Sequence, residues 1–232
     1  MEEVVPILID PNVRTAPSRR RGWFEITTVY GMVLLVFWTP PPLQYFLWAT
    51  AATLVATMIL KSSHSLKSIG LCKGNLSCSL WAVAATLAVA GLAVVLAAYL
   101  HTLHLPGTPG WFLRRSCVYV LWALIQELVL QCFFLSRLLH LTGNATGAAI
   151  ATATLFAMAH LPSPILMAIT LVCGLAACFF FLRFRTVYPL AIAHAILGLS
   201  VAITVPMTID HNMSVGLAYL TYSSQPAHLL QP

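Results

Sequence analysis

LWALIQELVLQCFFLSRLL, residues 121–139, is an apolar run of helix length with a single carboxylate, Glu127, near its middle. No other acidic residue occurs between positions 26 and 209. An ionisable side chain at membrane depth costs several kcal/mol to bury, so such residues are rare and usually functional. The run therefore predicts a membrane-embedded helix, with Glu127 as the centre of a site that the rest of the chain surrounds.

The composition is that of a membrane protein. The chain has 232 residues, of which 59% are hydrophobic and only 8% charged, and its mean hydropathy is +0.88. These values exclude an ordinary soluble domain. The net charge of +6 does not indicate a nucleic-acid partner, because the cations lie in loops between apolar runs, where they report membrane topology.

The apolar runs predict an all-α fold, a polytopic membrane helical bundle of about seven transmembrane helices. Pro and Gly clusters separate the runs, because neither residue continues a helix well. The predicted spans are 23–38, 43–60, 77–100, 111–141, a short one after Gly143 that ends at His160, 164–182 and 187–205.

Three regions follow from these spans. Residues 1–22 are predicted to be a flexible cytoplasmic tail, and 23–210 a transmembrane domain. Residues 211–232 are predicted to be an interfacial or disordered tail. An N-terminus inside the cell places all of the 12 Lys and Arg residues except Arg114 and Arg115 on the cytoplasmic side. We expect a multi-pass integral protein of a bacterial inner or cell membrane.

Three polar side chains fall where a membrane protein normally avoids them: Glu127, His160 at the end of the fifth span, and His194 inside the seventh. Each alone is compatible with a structural polar group that joins helices. Together they favour a site, because one carboxylate and two imidazoles can hydrogen-bond one another. Gln131 lies on the helix face of Glu127, and Gln126 projects about 100° away.

Three short segments in order resemble the signatures of the CAAX-protease and bacteriocin-processing (CPBP) family of intramembrane proteases. The family shows Glu-Glu-x-x-x-Arg, then Phe-x-x-x-His, then His-x-x-x-Asn or a related residue. Within 120–200, this chain has Gln126-Glu127-Leu-Val-Leu-Gln131, Phe156-Ala-Met-Ala-His160 and His194-Ala-Ile-Leu-Gly198.

The resemblance implies an endopeptidase that hydrolyses a peptide bond of a membrane-associated or lipidated substrate, such as a prenylated CAAX protein. Glu127 would activate water, and His160 and His194 would position it or stabilise the oxyanion. Gln126 and Gln131 complete the expected catalytic set. The expected partners are this substrate and membrane lipid, with no cofactor and no nucleic acid, and the oligomeric state is open.

The chain also departs from the family pattern at three positions. Gln126 stands where the first carboxylate is usually assigned as the base, Gln131 stands in place of the Arg, and Gly198 in place of the third-motif amide. These departures leave open a pseudoprotease that binds a partner, or an enzyme acting on an isoprenoid or lipid. A metal variant would use Glu127, His160 and His194 as two-histidine, one-carboxylate ligands.

Overall fold

The computed structural model describes residues 18–62, 79–104 and 108–222, and within these ranges it is helical and contains no strand. Most of the predicted N-terminal tail, the first residues of the predicted third span and residues 223–232 lie outside the description. The helices are α1 (Arg19–Trp38), α2 (Leu43–Ser62), α3 (Trp81–Tyr99), α4 (Pro109–Glu127), a π-helix (Leu128–Leu135), α5 (Ser136–Thr142), α6 (Ala145–Met158), α7 (Pro164–Phe184), α8 (Tyr188–Thr204), α9 (Met207–Asp210) and α10 (Gly216–Thr221).

The prediction of an all-α, membrane-type bundle is confirmed. Three helical runs are long and apolar enough to cross a membrane: Trp81–Tyr99, Phe112–Thr142 and Pro164–Phe184. Three shorter apolar helices accompany them. The count of seven transmembrane helices stays a prediction, because length and composition mark three of the described helices as full spans.

Most helix boundaries lie where turn residues predict them. Gly143 ends α5 with a left-handed φ of +64°, and the Asn144 side chain caps α6 by accepting a hydrogen bond from the Gly147 N–H. Ser163 caps α7 in the same way, and a proline follows it at the first helical position. At the N-terminus α1 begins at Arg19, four residues before the predicted start of the first span.

The helices α6 and α7 pack closely against each other. Ala148, Ala149 and Ala153 on α6 are completely buried. A Cβ atom added to Gly174 on α7 would lie 3.6 Å from the Ala153 Cα and 3.1 Å from the Phe156 ring. Small residues let two membrane helices approach closely, and this approach fixes the position of the end of α6 against α7.

One end of the bundle is held by an ion pair that joins α1 to α5. Arg137 Nε donates to Glu25 Oε2 at 2.8 Å, and both side chains are only 9% exposed. The guanidinium also lies 4.0 Å above the Phe133 ring. The other Glu25 oxygen accepts from Arg21 at 3.0 Å, but Arg21 is 67% exposed. The N-terminal cations and Arg137 therefore lie at the same end.

The turn after α9 has an unusual backbone. Three consecutive non-glycine residues, His211, Asn212 and Met213, have φ values of 52° to 56°. L-residues usually visit this left-handed region singly, because each pays roughly 1–2 kcal/mol there. Stacking of the His211 ring on Tyr219, with centroids 4.1 Å apart, and on Tyr222 helps to hold the turn.

Candidate active site

A cavity of about 1130 Å³ lies between α3, α4, α7 and α8. Its walls are mostly apolar, with aromatic and aliphatic side chains from all four helices. Polar groups converge on it from α4, from α8 and from the turn after α6. They include Tyr119, Gln126, Glu127, His160 and His194. An apolar cavity with a few convergent polar groups is the usual form of a ligand or active site.

Glu127 and His194 form the central contact of the site. His194 Nδ1 lies 2.9 Å from Glu127 Oε1, although 67 residues separate the two in the chain. Their side chains are 4% and 16% exposed, so the pair is shielded from solvent. The last residue of α4 and the second turn of α8 thus supply one carboxylate–imidazole pair, and the sequence-based expectation that these groups could hydrogen-bond agrees with the geometry.

Gln131 fixes the other side of the carboxylate. Its amide Nε2 donates to Glu127 Oε2 at 3.0 Å, and the glutamine side chain is completely buried. The amide oxygen Oε1 has no hydrogen-bond partner in the described part of the chain. Both carboxylate oxygens therefore accept a hydrogen bond, which holds the Glu127 side chain in one orientation towards α8.

The hydrogen bonds determine which nitrogen each imidazole leaves available. His160 Nδ1 lies 2.7 Å from the Phe156 carbonyl oxygen, which can only accept, so Nδ1 carries the proton. The same reasoning places a proton on His194 Nδ1 when the Glu127 carboxylate is ionised. In the neutral rings both Nε2 atoms are then acceptors, and neither has a partner among the residues that the structure describes.

His160 lies beside the pair rather than within it. It follows the end of α6 in a turn, and the Phe156 ring packs edge-on against both imidazoles, with centroids 4.9 Å from His160 and 5.8 Å from His194. No hydrogen bond joins His160 to Glu127. The two imidazoles thus line one cavity from two sides of a shared phenyl ring.

Two further sequence-based expectations concern Gln126 and a possible metal site. Gln126 lines the cavity but makes no hydrogen bond with any described residue. Within the described ranges, no three His, Cys, Asp or Glu side chains are grouped so that they could hold a metal ion. The metal arrangement of Glu127, His160 and His194 is therefore not assembled, because His160 lies apart from the other two.

A π-helix begins immediately after Glu127. Leu128–Leu135 follows i→i+5 geometry over eight residues before α-helical geometry resumes at Ser136. Such segments are rare, and they occur frequently at functional sites. Gln131 lies within the π-helix, so the π-helical backbone determines the direction from which its amide donates to the Glu127 carboxylate. Nothing in the apolar sequence of the segment predicts it.

Tyr119 is a cavity residue with a polar group near the pair that sequence reasoning missed. Its ring lies edge-on to His194, with centroids 6.5 Å apart. A Cβ atom added to Gly198 would overlap the Tyr119 hydroxyl oxygen and lie 2.6 Å from its ring atom Cε1. The tyrosine thus occupies space that a side chain at position 198 would need, and only the packing of α4 on α8 reveals this.

The fold and the site together are those of an integral membrane protein with a buried polar centre. Residues 108–200 match the model of a protein family described as type II CAAX prenyl endopeptidase Rce1-like. The match contains all five sequence-selected site residues and confirms the resemblance to the CPBP family of intramembrane proteases over this region. No curated protein and no solved structure matches the chain significantly.

Proposed function

We propose that this protein is an intramembrane endopeptidase that hydrolyses a peptide bond of a membrane-associated or lipidated substrate. The observation that carries the proposal is the hydrogen-bonded Glu127–His194 pair facing an apolar cavity, within a region that matches a family of prenyl endopeptidases. A carboxylate that orients an imidazole is a recurring arrangement in hydrolases, because it fixes the tautomer and stabilises the imidazolium that forms.

The reaction follows from the free nitrogen of His194. A water molecule in the cavity gives one proton to His194 Nε2, and its oxygen adds to the peptide carbonyl carbon. The negative charge moves to the carbonyl oxygen, while Glu127 stabilises the imidazolium. When the tetrahedral intermediate collapses, the C–N bond breaks and His194 returns the proton to the leaving amine. The products are a carboxylic acid and an amine, with no other reactant consumed.

His160 supports this reaction as a second acceptor. Its Nε2 is available because Nδ1 donates to the Phe156 carbonyl. A water molecule that donates one hydrogen to each imidazole would be oriented before it attacks, which lowers the entropic part of the barrier. In this scheme Glu127 acts through His194, because it accepts from His194 Nδ1 and so leaves Nε2 as the nitrogen that takes the proton.

The cavity favours a substrate with an apolar portion. Its mostly apolar walls run from aromatic residues near the N-terminus of α3 to the turn after α9. A lipid chain bound there would bury apolar surface, while its attached peptide reaches the pair. Prenylated CAAX peptides have this chemistry, and the matched family is described as type II CAAX prenyl endopeptidase Rce1-like.

The topology is part of the same proposal. The contact of Arg137 with Glu25 supports placing Arg137 on the side of the N-terminal Arg cluster. Arg114 and Arg115 lie near the opposite end of the helical run that contains Arg137. We assign the Arg137 end to the cytoplasm, which makes the chain a multi-pass protein with its N-terminus inside.

The test is hydrolysis of an S-prenylated CAAX peptide by the protein reconstituted in liposomes. We expect Glu127→Ala, His194→Ala and His160→Ala each to lose product, and His140→Ala to retain it. His140 is the matched control because it is an exposed histidine outside the cavity. Full turnover in Glu127→Ala or His160→Ala would refute the proposal.

A second candidate is a catalytically altered member that binds a partner or acts on an isoprenoid or lipid. The observation that favours it is Gln126, an amide without a hydrogen-bond partner among the described residues, at the position of the usual family base. A binding protein should retain its function in Glu127→Gln, whereas the endopeptidase should lose it. A lipid-modifying enzyme should change the lipid extract of its host and leave peptide termini unchanged.

A further inference from the structure

The place beside Gly198 is occupied by a hydroxyl group from another helix. Gly198 lies four residues after His194, which is about one turn along the same face of α8. A Cβ atom at this position would overlap the Tyr119 hydroxyl oxygen. The absence of a side chain at position 198 therefore lets Tyr119 reach into the cavity next to the carboxylate–imidazole pair.

The Tyr119 hydroxyl is available to a ligand. It makes no hydrogen bond with any described residue, and Tyr119 lines the cavity. A phenol is protonated at neutral pH and can donate one hydrogen bond. Tyr119 is half-buried, and a phenol hydroxyl that lines an apolar cavity without a protein partner is free to donate to a bound molecule.

From this geometry we propose that Tyr119 is the hydrogen-bond donor to the carbonyl oxygen of the scissile peptide, with its hydroxyl in the space where the family pattern has an amide side chain at position 198. The proposal rests on the proposed endopeptidase function. As water adds to the carbonyl carbon, the carbonyl oxygen becomes an oxyanion and the Tyr119 O–H donates to it. The phenol keeps its proton throughout, so the proton balance between water, His194 and the leaving amine is unchanged.

The location suits this role for a physical reason. A donor aimed at the developing charge in a site shielded from water stabilises the transition state more than it stabilises the substrate. His194 and Tyr119 approach the same volume from α8 and α4, with their ring centroids 6.5 Å apart. A carbonyl group between them can have its carbon near the water on His194 and its oxygen near the phenol.

The first variant is Tyr119→Phe, which keeps the ring and removes only the donor. We expect kcat to fall roughly 10²- to 10³-fold, as when an oxyanion donor is removed, with a smaller change in KM. Tyr30→Phe is the matched control, because Tyr30 packs edge-on against Phe134 in the core, away from the cavity. A purely packing role for Tyr119 predicts that both variants retain kcat.

The second test exchanges the two positions. Gly198→Asn alone should inactivate the protein, because its side chain collides with Tyr119. Tyr119→Ala alone should also lose activity, because it has no donor. The double variant Tyr119→Ala with Gly198→Asn removes the collision and restores an amide donor, so its activity should exceed that of either single variant. If the double variant instead shows the product of the two single-variant losses in activity, an amide at position 198 does not replace the Tyr119 hydroxyl.

A spectroscopic measurement decides the role of Tyr119 independently of turnover. The probe is a prenylated peptide ketone in which a methylene group replaces the scissile nitrogen, with a ¹³C-labelled carbonyl. The carbonyl stretching frequency should be lower when the ketone is bound to the native protein than when it is bound to Tyr119→Phe. Equal frequencies would overturn the proposal, and failure of the ketone to bind would overturn it together with the endopeptidase function.

The two tests separate the two proposals. If the native protein leaves the peptide intact but the ketone shift depends on Tyr119, the endopeptidase function fails, and Tyr119 is a donor to a bound carbonyl group that is not cleaved. If the peptide is hydrolysed through Glu127 but Tyr119→Phe retains full kcat, the donor assignment fails and the endopeptidase function remains.

Discussion

Replacing Arg137 by methionine should destabilise the folded protein much more than replacing Arg21, although both cations contact the same carboxylate. Arg137 lies 2.8 Å and Arg21 lies 3.0 Å from the two oxygens of Glu25. The distances are therefore nearly equal. The exposure differs, because the Arg137 side chain is 9% exposed and the Arg21 side chain is 67% exposed.

The expected magnitudes follow from this difference in exposure. Two unit charges about 4 Å apart attract by about 4 kcal/mol at an effective dielectric constant near 20, and by about 1 kcal/mol in water. Removing one partner of a buried pair typically costs 3–5 kcal/mol, because it leaves an uncompensated charge. Glu25 would keep Arg21, so we expect about 3 kcal/mol for Arg137→Met. For Arg21→Met we expect about 0.5 kcal/mol, as for an exposed pair.

The assay is the free energy of unfolding in mixed micelles titrated with a denaturing detergent. Removing both charges in Glu25→Leu with Arg137→Leu should recover most of the loss, since no unpaired buried charge remains. Equal costs for Arg137→Met and Arg21→Met would refute the argument from burial. A cost for Arg137→Met below about 1 kcal/mol, the range of exposed pairs, would do the same.

Three further predictions concern the site and the C-terminal turn. Gln131→Leu should lower kcat about 10-fold or more in the peptide assay, because hydrogen bonds to charged groups contribute about 1.5–3 kcal/mol. The control Gln126→Ala should change kcat by less than about 3-fold. Equal effects of the two substitutions would contradict the assigned contact of Gln131 with Glu127. Gly216→Ala should cost at least about 1 kcal/mol of unfolding free energy, because φ is +57° and the added Cβ would overlap backbone at the end of α1; a neutral result would argue against this packing. The Asp210 carboxyl lies after the last long helix, and burial raises its pKa. The folded protein therefore favours the protonated carboxyl, and the folded state loses stability as the pH rises from the ordinary Asp pKa near 3.9 through the raised pKa. Asp210→Asn should therefore be more stable than the native chain at pH 7 and similar below pH about 3.5; an equal difference at both pH values would contradict the titration.

Sequence reasoning captured the features that depend on local pattern. Apolar runs and the Pro and Gly residues between them predicted the helices, since helix ends depend mainly on nearby residues. The pairing of Glu127 with His194 was foreseeable for a different reason. A lone carboxylate at membrane depth needs a partner, and few polar side chains were available to provide one. His160 was foreseen in the cavity, but its separation from Glu127 was not.

The features that were missed depend on contacts between distant helices. Glu25 and Arg137 are 112 residues apart, and nothing near either residue indicates the other. Tyr119 contacts Gly198 only because α4 packs on α8. The motif pattern shows that position 198 has no side chain, but it does not show that the Tyr119 hydroxyl fills the space. The π-helix was hidden because its apolar sequence suits an α-helix equally well.

The most direct measurement compares peptide termini in host membranes that contain the native chain, its Glu127→Ala variant, or neither. We expect new termini with the native chain that are absent from the other two samples, together with an apolar or lipidated segment near each cleavage site. Identical termini in all three samples, with both proteins folded and abundant, would show that the Glu127–His194 pair does not hydrolyse peptide bonds in these membranes.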